Sequence, residues 1–365
     1  MSQRCYDIHG LVEIVIMPRV RPEIVREIEF QIGPFRTDSP ARDERRPRIL
    51  LQPYDEFYAD DAEGRSAAIF YNCQGGTGSY LKDESGRLVV KQDEAGFRVF
   101  ADYANVLINL YLQVLIARQG FSMVHAAAYK KPEGNVTVLA GAGGIGKTAV
   151  LGYAVRERGL QHLGDDVVIL SGDGRCLSFP RAFVLKSYHR EGYADTFRRL
   201  RLPRWNLYSA KRFLIDNAPL VGLTKSLLRR SGLYYKVADA LRPQPFLATV
   251  SPEELFGRNS IASEGQIARI AYMDRTEGHT FEIRPISPAA LVNRLFAVIH
   301  YEWKDFLTHL VSLGALNVVD LPLYCEQVTA TLKSAVADKE LLQVDIPAKA
   351  TPDRLVAFLD EQGFF

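Results

Sequence analysis

Residues 141 to 148 read GAGGIGKT, a spacing of glycines, lysine and a hydroxyl residue suited to holding phosphate groups. Gly141, Gly143, Gly144 and Gly146 let the backbone enter positive φ, so successive N–H groups can converge on anionic oxygens with no Cβ in the way. Ala142 and Ile145 complete the turn between them. Lys147 brings a point charge to the β and γ phosphates. The Thr148 hydroxyl is suited to hold Mg²⁺ at the start of the following helix, where the dipole also favours anions. The β-branched run VTVLA before the loop reads as a buried strand, and KTAVLGYAVRER after it as a helix that stops by Gly159. Strand, glycine-rich turn and helix start together make the P-loop pattern, so ATP and Mg²⁺ are the expected cofactors.

Two adjacent carboxylates follow at close range. Asp165 and Asp166 end the strand-like part of LQHLGDDVVIL, seventeen residues beyond Thr148. Neighbouring side chains in a strand face opposite sides, but a turn at the strand's end can bring both to one phosphate site. One of the pair would coordinate Mg²⁺ and the other would accept a proton from an attacking hydroxyl; the residues leave open which does which. Upstream, GFSMVHAAAYKK sets His125 in an apolar, strand-like context, followed by the turn KKPEGN and the VTVLA strand. If the two strands pair as a hairpin, His125 shares a sheet with the glycine-rich loop.

His125, GAGGIGKT and HLGDD, in that order and at that spacing, resemble the catalytic core of the HPr kinase/phosphorylase family and, more distantly, the nucleotide site of phosphoenolpyruvate carboxykinase. The likeness covers roughly residues 100 to 290 and is strongest over 121 to 170. It implies a P-loop kinase core of that α/β type, in which His125 positions or polarises one carboxylate while Asp165 and Asp166 share base and metal duties. Within SFPRAFVLKSYH, Arg181 and Lys186 resemble a Pro-Arg plus Leu-Lys segment that follows the paired Asp in kinases of this broader superfamily. Positive charge there would stabilise the dispersed charge of a transferring phosphoryl group.

The elements that must position these residues fall into three stretches. Residues 1–100 show short β-type runs, LVEIVIM, REIEFQI, RILLQPY, AAIFYN and RLVVKQ, separated by EGRS, QGGTGS and DESGR, and read as a β-rich N-terminal domain. Residues 101–290 read as the kinase-like domain, entered by a helix at 101 to 118 and closed by two strands, QIARIAYMDR and HTFEIRPI. Arg275, near their turn, is a candidate second phosphate ligand. Residues 291–365 read as a mainly helical C-terminal cap with a final strand, LLQVDIP, and a short helix, DRLVAFLDEQ.

Within the kinase-like stretch, 190–245 reads as a basic helical insertion. It carries Arg198, Arg199, Arg201, Arg204, Lys211, Arg212, Lys225, Arg229, Arg230 and Lys236, interleaved with Trp205, Tyr208, Tyr234 and Tyr235. Such a stretch suits an acidic peptide or a phosphorylated metabolite, or the solvated face of helices that cover the site.

The chain has 365 residues with 47% hydrophobic and 24% charged residues and a net charge of +2, the balance of an ordinary globular protein with no global pull toward nucleic acid or membrane. Its four cysteines lack Cys-x-x-Cys spacing, which points to reduced thiols and no zinc site. MSQRCYDIHG is unlike a signal peptide, and ANVLINLYLQVLIA is too short to span a bilayer, so a cytoplasmic compartment is expected.

The expectation is therefore an α/β phosphotransferase that moves the γ-phosphoryl of ATP to a hydroxyl, either a serine of a peptide or protein or a small hydroxylated metabolite. A nucleotide-gated switch without an acceptor and a bifunctional kinase/phosphorylase use the same cradle and stay open. So does assembly into a homo-oligomer.

Overall fold

A computed structural model of the chain describes residues 3–39, 45–57, 68–70, 73–75, 80–83, 87–102, 106–186, 193–200 and 246–365. The architecture is mixed α/β. The chain divides into two compact units, one made of Met1–Arg181 with Phe256–Phe365 and the other of Ala182–Leu255.

The larger unit holds two nine-stranded sheets. The first is ordered β3 (Arg36–Thr37), β1 (Arg4–Ile8), β2 (Val12–Ile16), β4 (Arg48–Pro53), β9 (Gly96–Ala101), β8 (Leu88–Asp93), β7 (Tyr80–Asp83), β6 (Cys73–Gly75) and β5 (Ala68–Phe70). Its centre is the parallel trio β2, β4 and β9. Every residue of β2 is buried, as its run VEIVI requires. The run REIEFQI, expected as a strand, lies instead in helix α1 (Pro22–Ile32). Pro22 is preorganised for a first helical turn, and Ile24, Val25, Ile28 and Ile32 fall on one helical face, all buried.

The second sheet runs β10 (Phe121–Val124), β14 (Val168–Ser171), β15 (Arg175–Leu177), β18 (Glu264–Thr276), β12 (Asn135–Ala140), β11 (Ala126–Lys130) and β13 (Gln161–Gly164), with β19 (Glu282–Pro285) and β20 (Glu340–Pro347) attached through β18. Its spine is again parallel: β12, the thirteen-residue β18 and β20. The runs expected to close this sheet form β18 and β19, and the final strand expected in LLQVDIP is β20, paired with both. β11 and β12 form the anticipated antiparallel hairpin, with Ala126 opposite Ala140.

Both faces of this hairpin are buried, which explains its unbroken apolar runs. Ala126, Ala128, Val136, Val138 and Ala140 join the main core with residues of α2 (Ile108–Ala117), α6 (Pro288–Glu302) and α8 (Leu321–Val336). By strand alternation Ala127, Tyr129 and Leu139 face the other side. There Tyr129 donates its hydroxyl to the Phe364 carbonyl at 2.8 Å, and helix α3 (Lys147–Arg156) packs against the last helix, α9 (Pro352–Glu361). The Tyr153 hydroxyl and the Arg158 guanidinium both donate to Asp360, joining these two helices.

The smaller unit contains the antiparallel pair β16 (Phe183–Lys186) and β17 (Phe246–Val250) and the short helix α4 (Ala194–Arg199). Most of the basic 190–245 segment lies outside the described residues; of its cations, Arg198 and Arg199 fall within them and are exposed. Among the described residues no helix is long and apolar enough to cross a membrane.

Candidate functional site

The site forms where the parallel strands of the second sheet end, the edge at which ligands bind in open α/β sheets. β12 runs out at Ala140, opposite Tyr272 of β18, and the chain turns through 141–146 into α3. Gly141 takes φ +143°, and a Cβ there would stand 2.4 Å from the Met273 carbonyl oxygen, so only glycine lets the loop cross β18. Gly146 caps α3 at φ +108°, and its carbonyl accepts from the N–H groups of Ala149 and Val150. A Cβ on Gly146 would press to 2.8 Å from Leu355 of α9, so the last helix is fitted against the loop.

Lys147 is almost wholly buried, and its ammonium donates to the carbonyls of Gly141 (2.7 Å) and Ala142 (2.8 Å). Burial lowers its pKa, while Asp166, Asp165 and Glu302 push it back up. At the next residue, the Thr148 hydroxyl lies 3.1 and 3.0 Å from the two carboxylate oxygens of Asp165. This hydroxyl–carboxylate contact joins the glycine-rich loop to the paired-Asp segment across the sheet.

Asp165 follows β13 (Gln161–Gly164), which pairs with β11. Asp166 adopts φ +71°, a left-handed conformation that Asp tolerates better than most residues, and this tight turn leads into β14 (Val168–Ser171). Burial raises Asp165 to about 7 and the neighbouring Asp166 charge adds to the rise, whereas the Thr148 hydroxyl, Lys147 and Arg181 oppose it. Arg181 stands 3.8 Å from the Asp166 carboxylate and stacks over Phe30, 5.2 Å from the ring centroid.

His125 occupies the bend between β10 (Phe121–Val124) and β11. It is 6% exposed, and both ring nitrogens are without a hydrogen-bond partner among the described residues. Burial, aided by the Lys147 charge, lowers its pKa to about 4 against the pull of Asp166 and Glu302. At neutral pH it is an uncharged imidazole.

No protein-family model matches the chain, and no curated protein matches it. The site is therefore read from its own geometry.

The residues read from the sequence as Gly141 to Thr148, Asp165, Asp166, His125 and Arg181 come together at this edge. Lys186 ends β16 in the smaller unit, and its side chain lies outside the described residues. Arg275 serves a structural end: its guanidinium donates to the Ala348 carbonyl at 2.7 Å and reaches the Pro347 and Ala350 carbonyls, holding the chain after β20.

One site residue escaped the sequence reading. Glu302, the last residue of α6, accepts a hydrogen bond from the Gly143 N–H at 2.7 Å. It stands 159 positions from its partner in an amphipathic stretch that reads only as cap, so no local signal distinguishes it.

The donor set suits a hard divalent cation. A hydroxyl and a carboxylate already share a hydrogen bond, and the carboxylate lacks an ion-pair partner among the described residues. Among those residues no group of three or more His, Cys, Asp or Glu side chains could hold a metal, but Mg²⁺ is usually bound by one or two carboxylates with waters and substrate phosphates.

Proposed function

We propose that this chain is an ATP- and Mg²⁺-dependent phosphotransferase with a core of the HPr kinase/phosphorylase type, acting on a hydroxyl of a peptide, protein or small metabolite. The observation that carries this reading is the contact of Thr148 with both oxygens of Asp165, which unites the two motifs that phosphoryl transfer requires.

The loop amides from Gly141 to Gly146 and the Lys147 ammonium would bind the phosphates. The lysine would leave the carbonyls of Gly141 and Ala142 for the ligand. Thr148 and Asp165 would hold Mg²⁺, which when bound neutralises phosphate charge and keeps Asp165 ionised well below pH 7. With Asp165 given to the metal, the base falls to Asp166, which faces Arg181 and acts on the buried His125. The uncharged imidazole would orient that carboxylate or the incoming hydroxyl, and Arg181 would balance charge as it develops on the transferring group.

The test is label transfer from γ-labelled ATP to a pool of cell extract, free serine and acidic peptides. Asp166→Asn should cut transfer by about a thousandfold or more with ATP affinity retained, since a base contributes roughly 10²–10⁴ and its loss also disturbs positioning. Asp165→Asn should lose both transfer and Mg²⁺ dependence. Unaltered transfer in both variants would refute the assignment. Tight ATP binding with no labelled acceptor would favour a nucleotide-gated switch.

A further inference from the structure

Glu302 sits where a carboxylate is hard to explain by folding alone. It ends α6, and the C-terminal end of a helix carries a partial negative charge that disfavours an anion. Asp165 and Asp166 lie on the same site, and all three carboxylates act on Lys147. Among the described residues Glu302 has no ion-pair partner, and its carboxylate accepts from the Gly143 amide. Its oxygens also crowd the loop, since a Cβ on Gly143 would stand 3.2 Å from Oε2. Trp303, with φ −106° and ψ 72°, breaks the chain between α6 and α7 (Lys304–Ala315), so the carboxylate hangs at a helix junction and can withdraw without unwinding either helix.

We infer that Glu302 is an affinity-setting residue of the phosphate site: its carboxylate holds the Gly143 amide and is exchanged for a phosphate oxygen when a polyphosphate binds. The inference rests on the phosphate-site reading above. An amide in a glycine-rich turn is a donor for anions, and an internal carboxylate satisfies it until a more highly charged ligand arrives. Lys147, bonded to two loop carbonyls, is held back in the same state. Ligand binding then requires two exchanges: the Gly143 amide passes from Glu302 to phosphate, and the Lys147 ammonium passes from backbone oxygens to phosphate. Because the open form is only part of the free population, the apparent affinity is reduced by the fraction open.

This arrangement has a kinetic signature. A residue that blocks the free site slows association and leaves dissociation unchanged, whereas one that touches the bound ligand changes dissociation. Stopped-flow and equilibrium binding of Mg·ATP, and separately of pyrophosphate, should be compared in the full chain and in Glu302→Gln and Glu302→Ala. The expected result is affinity about tenfold tighter for both ligands, equivalent to roughly 1.4 kcal/mol, carried by the association rate, with the alanine variant at least as strong as the glutamine. Unchanged or weaker binding, or a gain carried by slower dissociation, would overturn the exchange while leaving the phosphate site standing. Failure of all three proteins to bind either ligand would overturn the phosphate site and the exchange together.

Discussion

The two sheets of the larger unit are built on the same plan and both pair acids with arginines, as Asp345 with Arg284 and Glu264 with Arg175 in the second; they differ in the group of carboxylates at the end of the second sheet. Each has a parallel trio at its centre, β2, β4 and β9 in one and β12, β18 and β20 in the other. In the first sheet, buried or half-buried carboxylates meet arginines. Glu13, 2% exposed, accepts from Arg48 at 2.7 Å, Asp102 just after β9 pairs with Arg87 at 2.9 Å, and Glu29 of helix α1 pairs with Arg4 on the sheet. At the end of the second sheet, Asp165 meets a hydroxyl, Glu302 a backbone amide, and Asp166 an arginine at 3.8 Å. A neutralised acid serves the fold; an under-neutralised acid beside a glycine-rich loop fits the proposed binding of a cation and a phosphate ligand.

Four perturbations test that contrast. The largest effect belongs to Lys147→Ala, which should weaken ATP binding by about a hundredfold or more, roughly the 3 kcal/mol of a buried charged contact, with little change in melting temperature. Equal loss of stability and binding would show that Lys147 is structural. In the first sheet, Glu13→Ala should cost about 2 kcal/mol of stability by leaving Arg48 unpaired, a figure set below the usual buried-pair value because Arg48 is partly exposed. ATP affinity should not change, as calorimetry and denaturant titration would show.

Asp165→Asn should do the reverse of Glu13→Ala and raise stability by about 1–2 kcal/mol at pH 8. The folded protein holds Asp165 at about 7, against 3.8 for the free side chain, so folding favours its neutral form. Its cost to the fold is fully present above pH 7 and fades as pH falls toward 4. The gain from the amide should fade over the same interval. The smallest effect is the dependence of Mg²⁺ binding on pH: affinity should fall by at most about tenfold per pH unit below 7, as one proton competes for one carboxylate. A flat profile from pH 5 to 8 would remove Asp165 from the metal site.

What could be read from the sequence was local. The strand, loop and helix around 135–156 announce themselves because glycine, β-branched residues and helical spacing act within a few positions, and the His125 hairpin follows from one turn. The pairing of Thr148 with Asp165 was legible only as a spacing. REIEFQI was misjudged because its alternation resembles a strand, while the deciding signals, Pro22 before it and Ile24 and Val25 at helical spacing, lie at its edge. Glu302 was invisible, since its contact is fixed by how α6 packs against the sheet. Arg275 looked like a phosphate ligand because a cation at a strand end has no sequence mark that separates an anion from a backbone carbonyl as its partner.

The seating of α9 on the glycine-rich loop has a consequence for biosynthesis. Leu355 fits against Gly146, and Asp360 ties down Tyr153 and Arg158. Roughly two hundred residues separate α3 from α9, so at about 5–20 residues per second the loop helix leaves the ribosome some 10–40 s before its cover does. β12, ending at Ala140, waits about 6–25 s for its parallel partner β18, which begins at Glu264. During that interval the nascent chain displays an unpaired strand edge and the apolar side of α3, the kind of transiently exposed surface that makes chains prone to aggregate. A ribosome stalled before residue 352 would carry a loop of correct sequence with its supporting wall still unmade.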